Sequence, residues 1–282
     1  MKIIKFQGGL GNQMFQYALY EKLKLLDKKV YGDLSFYKKR KQHNGYELEN
    51  VFKIDIYNRN FIEKIIFQNK KIMKILRKFY KSKVINQNDV FYDENILEKY
   101  LIFDGYWQSE KFFECIENKI RRNFTFPEII ELENIEIKNK IDSTNSVAIH
   151  IRRGDYIGNT VLSGLAPIKY YEDAVDYIKN KIKNPTYFIF SDDRKWCKEN
   201  LKIGKQVYYI DWNKGKNSYR DMQLMSLCKH NIIPNSSFSW WGAWLNKNLD
   251  KIVIAPEIWF RKEVKFRYED IVPDSWIKIK NI

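Results

Sequence analysis

Four short stretches concentrate the residues that can do chemistry. His150-Ile151-Arg152-Arg153-Gly154-Asp155 closes an apolar run of strand length, SVAIHI. Side chains alternate along a strand, so His150 and Arg152 share one face. An arginine fork at a strand end suits bidentate contact with a pyrophosphate. Gly154 lets the chain turn there, and Asp155 can hold an arginine in place; the plainer reading is a surface ion pair of Arg153 with Asp155. Asn235-Ser236-Ser237-Phe238-Ser239-Trp240-Trp241-Gly242 follows NIIP and opens a helix. Hydroxyls and backbone N–H groups at a helix N-terminus make an anion cradle. Trp240, Trp241 and Trp244 can pack that helix or stack on a sugar or base. Ser191-Asp192-Asp193 ends the strand-like TYFIF. Its two carboxylates can bind Mg²⁺, accept hydrogen bonds from a base or ribose, or cap the next helix. Gly8-Gly9-Leu10-Gly11-Asn12 is either a phosphate-binding turn or a tight strand-to-helix turn. It is an incomplete GxGxxG and lacks the lysine of a P-loop. Asn12 and Gln13 add two side-chain amides at the helix start, or Asn12 only caps the helix.

The elements that must position these residues read as an alternation of strands and helices. KIIKF, the glycine turn, a helix from Gln13 to about Leu26 and the strand VYGDL form a βαβ opening. Further on, SVAIHI, TYFIF, QVYYID, NIIP and KIVIAP are strands separated by helical segments over 168–183, 194–201, 219–229 and 240–246. That order predicts a doubly wound parallel α/β architecture, with ligands beyond the carboxyl ends of the strands. The polar stretch from Pro127 to Asn145 reads as the linker between two domains, 1–140 and 141–282. Residues 61–83 form the clearest amphipathic helix, with eight basic residues and one acidic. Its lysines are either a solvated face or a contact for anionic lipid.

Composition narrows the function classes. Hydrophobic residues make up 44 % of the 282, which excludes a mostly disordered chain and leaves room for two cores. The net charge of +15 attracts polyanions without choosing among nucleic acid, anionic lipid and phosphorylated small molecules. Three scattered cysteines form no CxxC pair, which points to a reducing compartment and away from a zinc site. His43 and His230 lack a partner pattern, and no HExxH or GxSxG motif occurs. Without a signal-peptide core or an apolar run of membrane-spanning length, the expectation is a cytoplasmic protein.

GGLGNQMFQYA at 8–18, HIRRGDY at 150–156, FSDD at 190–193 and NSSFSWWGAWLN at 235–246 together resemble the α-1,2-fucosyltransferases, glycosyltransferase family 11. The resemblance runs from the first strand to about Trp259. It implies a GT-B-like fold: an acceptor-side Rossmann-type domain and a GDP-fucose-binding one, facing a cleft. It implies inverting transfer of L-fucose from GDP-β-L-fucose to the 2-hydroxyl of a galactoside, without a cofactor or metal. By the same resemblance Arg152 neutralises the pyrophosphate, with Arg153 beside it. His150 and Asp192 approach guanine or ribose. Asn235, Ser236, Ser237 and Phe238 surround the phosphates. Gly9 and Gly11 join the donor site, and Asn12 reaches it from the N-terminal domain. Pro234 stands where members commonly have a small residue; its carbonyl is kept, so little change is expected. Asp155 is the candidate general base. Two competing readings stay open: a metal-dependent GT-A-type transferase built on Asp192 and Asp193, and a basic nucleic-acid-binding protein. Against the second, the lysines are dispersed and no nucleic-acid-binding motif occurs.

Overall fold

A computed structural model of the chain describes residues 1–37, 44–56, 69–79, 84–86, 92–154, 158–204, 206–261 and 268–282. The chain divides into two compact units, Met1–Pro127 with Lys265–Ile271, and Glu128–Val264 with Val272–Ile282.

The first unit is built on four parallel strands, β1 (Lys2–Lys5), β2 (Val30–Asp33), β3 (Val84–Asn86) and β4 (Ile102–Asp104), in the order β2-β1-β4-β3. Its helices are α1 (Leu10–Leu26), α2 (Leu48–Phe52), α3 (Lys70–Phe79), α4 (Glu94–Lys99) and α5 (Glu117–Asn123). Helix α1 is buried along its first fourteen residues except Asn12, so the predicted βαβ opening forms as expected. The expected single helix over 61–83 is corrected at Asn69. That residue is non-helical, and its Oδ1 accepts the N–H groups of Lys71 and Ile72 at 3.0 and 3.4 Å. It therefore caps a helix that starts at Lys70, because an asparagine side chain competes for backbone donors better than it sustains a helix interior. Residues 61–68 and 80–83 lie outside the described residues.

The second unit holds six parallel strands: β5 (Asn145–Ile151), β6 (Pro185–Ser191), β7 (Val207–Ile210), β8 (His230–Ile232), β9 (Val253–Pro256) and β10 (Ile277–Ile279). Their order is β10-β9-β8-β5-β6-β7. The chain runs outward from β5 to β7, then returns to the other side of β5 and runs outward again. Strand order therefore reverses between β5 and β8, which pair at Ile149 and Ile232. In such sheets the crevice for a ligand opens beyond the strand ends at that reversal. Alternation along β5 serves both faces. Val147, Ile149 and Ile151 enter one core with α7 (Ile168–Lys181) and α8 (Arg194–Asn200); Ala148 enters the other, with α6 (Leu132–Asp142) and α9 (Tyr219–Leu227). Helix α10 (Ser237–Leu245) buries Trp240, Trp241 and Trp244, so all three tryptophans pack and none is offered for stacking. Gly242 makes the close approach of α9 and α10: a Cβ there would lie 3.0 Å from that of Met225.

The expected linker is corrected. Helix α6 occupies the middle of that stretch and packs Ile137 and Ile141 into the second unit's core. On the same face Asn134 is fully buried. Its Oδ1 accepts from Trp212 Nε1 at 2.9 Å and its Nδ2 donates to Asn213. A stripe of two isoleucines and an asparagine is too thin to read as apolar, yet every member of it is partnered.

Candidate functional site

The end of β5 is held from the neighbouring end of β6. Asp192 accepts the N–H groups of Arg153 on Oδ1 and of Gly154 on Oδ2, both at 3.0 Å. Arg152 Nη1 lies 3.5 Å from the same Oδ2. A Cβ on Gly154 would stand 2.8 Å from that oxygen, so only glycine lets the turn close onto the carboxylate. Asp193 caps α8, its Oδ1 accepting from Trp196 N–H at 3.1 Å, and its Oδ2 lies 3.2 Å from Arg153 Nε. The Arg153 guanidinium sits 3.9 Å above the Trp196 ring centre, a stacked and paired position. Among the described residues Arg153 pairs with Asp193; Asp155, its partner in the plainer reading, lies outside the described residues. The Asp192 carboxylate, which the resemblance assigns to guanine or ribose, braces the arginine turn.

Across the strand reversal, the end of β8 leads through Asn235 and Ser236 into α10. Asn235 is buried and donates through Nδ2 to Trp259 O at 3.2 Å and Leu162 O at 3.4 Å, tying two loops to this corner. Ser236 is the N-cap of α10 in extended conformation and makes no side-chain capping bond. The first turn of a helix carries N–H groups that no helical carbonyl can accept, at the positive end of its dipole. Arg152 and the start of α10 thus belong to the two adjacent strand ends where order reverses. A cavity of about 200 Å³ opens here, lined by Arg152, Arg153, Ser163, Tyr171, Trp196 and Asn235 among others.

His150 lies under this corner, 6 % exposed, its ring centre 5.9 Å from that of Phe238. Its Nδ1 is buried with no partner among the described residues. Burial, and then the charge of Arg152, push the imidazole down to about 3. The folded chain keeps the ring neutral while the unfolded chain protonates it near 6.5. The unfolded state then binds more protons, so stability falls as pH drops from 6.5, by about 1.4 kcal/mol per pH unit. His150→Gln should flatten this slope. Urea midpoints measured at about pH 5 and pH 7.5 should lie closer together in the variant than in the wild type.

In the first unit, the glycine turn lies beyond the end of β1. Gly8 has φ +79°, and Gly9 is the N-cap of α1 without a side-chain cap. Asn12 does not cap; its Oδ1 accepts from Gln108 Nε2 at 2.7 Å. The anion at this helix start is the protein's own: buried Glu47 takes the Leu10 N–H, and burial pushes its carboxyl up. Gly9 and Gly11 lie in this braced strand-to-helix turn.

The match to known proteins decides what these corners belong to. The family model described as glycosyl transferase family 11 matches residues 1–280. The chain belongs to that family. It is 37 % identical over 291 residues to an Escherichia coli alpha-1,2-colitosyltransferase, covering 99 % of this chain and 98 % of that protein. It is 34 % identical over 315 residues to the Escherichia coli O-antigen biosynthesis glycosyltransferase WbnK, covering 96 % and 98 %. The mouse galactoside alpha-(1,2)-fucosyltransferase 2 is 26 % identical over 251 residues, covering 84 % and 66 %. Among solved structures, a mutant of Arabidopsis thaliana FUT1 in complex with GDP superposes with a TM-score of 0.52 at 11 % identity, covering 89 % of this chain and 69 % of that one. The fold of this family 11 glycosyltransferase is therefore GT-B-like, with parallel sheets in both units.

In the family 11 enzyme, His150, Arg152, Arg153, Asp192, Asn235, Ser236, Ser237 and Phe238 all gather at one corner of the second unit. Gly9, Gly11 and Asn12 lie in the first unit. Sequence reasoning missed Gln16 and read Gln13 only as a side-chain amide at the helix start; both are fully buried in the amphipathic stripe of α1. Gln13 donates to Gly8 O at 3.1 Å and Gly45 O at 2.8 Å and accepts from Glu47 N–H. Gln16 donates to Gly105 O at 2.9 Å and accepts from Gln7 N–H. Two amides three residues apart, on the core side of a helix beginning at a glycine turn, were the available signal. His230 has the core role expected of it, its Nδ1 accepting from Ile252 N–H at 3.0 Å. His43 lies outside the described residues.

Proposed function

We propose that the enzyme transfers L-fucose, or its 3-deoxy form colitose, from the GDP-activated sugar to the 2-hydroxyl of a terminal β-galactoside. Transfer proceeds with inversion and builds an α-1,2 linkage in a surface glycan such as an O-antigen or capsule, on the cytoplasmic side of the membrane. The observation that carries this reading is the brace at the strand reversal: both oxygens of Asp192 hold the Arg153–Gly154 backbone, which keeps Arg152 at the end of β5 beside the strand leading into α10. Breaking the glycosidic bond adds a negative charge to the diphosphate of the leaving GDP. Fixed donors aimed at that charge lower the barrier, and the Arg152 fork and the N–H groups opening α10 are such donors. Ser236 and Ser237 add hydroxyls, and the unpartnered Nδ1 of His150 offers a hydrogen bond to the nucleotide. Asn12 contributes its amide to substrate binding, and Asp155 is the candidate base for the acceptor's proton.

The reaction as proposed uses no metal. The two carboxylates that a metal-dependent mechanism would need are engaged, Asp192 with two backbone N–H groups and Asp193 with α8 and Arg153. Fucose and colitose differ by one hydroxyl, and the fucosyl- and colitosyltransferase relatives divide between them. The test is GDP release from each donor with lactose or N-acetyllactosamine, with and without EDTA, followed by mapping of the new linkage. Acceptor-dependent release that survives EDTA and modifies the galactose 2-hydroxyl is expected, and the kcat/KM ratio names the sugar. Loss of activity in EDTA, or a bond at another hydroxyl, would contradict the proposal.

A further inference from the structure

Helix α3 has one face tied to the protein and another that is not. Met73 is 2 % exposed and packs with Ile3 and Ile102, with Leu76 beside it. The outward face consists of two adjacent rows at i, i+4 spacing. Lys70, Lys74 and Lys78 form the first; Lys71, Ile75 and Phe79 form the second, and all six are exposed. Ile75 is 54 % and Phe79 81 % exposed, and the helix contains no acidic residue.

We propose that this face docks on a lipid bilayer carrying anionic headgroups. Neither row alone would choose that partner. Four lysines favour any polyanion, and each near an anionic membrane surface is worth roughly fivefold in partition. An exposed aliphatic and an aromatic side chain one turn apart, alongside those lysines, gain from entering the headgroup and acyl boundary. A phosphodiester backbone offers Ile75 nothing. The lysines also suit diffuse surface charge rather than the bidentate phosphate contacts that arginine makes. Since none of the described helices is long and apolar enough to cross a membrane, the contact is peripheral. This inference is independent of which sugar the enzyme transfers.

The test is co-sedimentation of the full chain with phosphatidylcholine vesicles, with and without phosphatidylglycerol, at physiological ionic strength. Binding that needs phosphatidylglycerol is expected. Ile75→Ser with Phe79→Ser should weaken it at least tenfold at unchanged charge, and Lys70→Gln with Lys74→Gln and Lys78→Gln roughly a hundredfold. All five positions are exposed, so thermal unfolding and GDP binding should match the wild type in both variants, which separates this proposal from that for the transfer reaction. No sedimentation with anionic vesicles would overturn it. So would binding indifferent to the serine pair, or RNA binding that the vesicles fail to compete.

Discussion

Replacing Arg152 by alanine should lower kcat/KM for the nucleotide sugar by about three orders of magnitude, the scale of losing a fixed charged donor to the leaving group. The loss should fall mainly on kcat, because charge on the diphosphate grows as the glycosidic bond breaks. Arg152→Lys keeps the charge without the planar fork, so it should recover only about tenfold of that loss. Stability should hardly change. Arg152 is about one-third exposed and its contact with Asp192 is long at 3.5 Å, so the pair is worth within about 1 kcal/mol. Steady-state kinetics beside a urea titration would separate the two effects. An alanine variant that unfolds early, or turns over normally, would contradict the assigned role.

The second large effect belongs to the brace. Asp192→Ala removes the acceptor for the N–H groups of Arg153 and Gly154 and should cost about a hundredfold in kcat/KM, through loss of position rather than of charge. Asp192→Asn keeps one carbonyl oxygen and should cost about tenfold. Gly154→Ala attacks the same contact from the other side, placing a Cβ 2.8 Å from Asp192 Oδ2, and should resemble Asp192→Ala in kinetics. Asp192 is a positioning residue in this account, so its alanine variant should stay active in EDTA-treated buffer at its own reduced rate. If added Mg²⁺ restored the wild-type enzyme after EDTA, the carboxylate would have to be a ligand instead.

The parts of the fold legible from sequence are those where one residue and its neighbours decide. SVAIHI and TYFIF alternate between two buried faces and became β5 and β6 with nearly the expected limits. The start of α10 was announced by Asn235-Ser236-Ser237 after a strand. What remained hidden depends on partners distant in the chain. Arg153 pairs with Asp193, forty residues away at the start of α8, while Asp155 stands closer in sequence. The brace made by Asp192 is hidden because nothing local shows that the adjacent strand end delivers two backbone N–H groups to it. The amides of Gln13 and Gln16 satisfy the backbone around Gly8, Gly45 and Gly105, partners that their place in a helix does not disclose. Helix α6 reads as a linker because one of the three residues of its buried stripe is polar, satisfied by Trp212 and Asn213.

The central claim is that the strand reversal of the second unit, with Arg152 at its edge, is a nucleoside-diphosphate site. Calorimetric titration with GDP and with GMP, in EDTA, tests it most directly. The account predicts saturable GDP binding, GMP binding weaker by at least tenfold, and GDP binding lost in Arg152→Ala while the fold persists. Equal affinity for GDP and GMP, or an alanine variant that binds GDP as the wild type does, would contradict it.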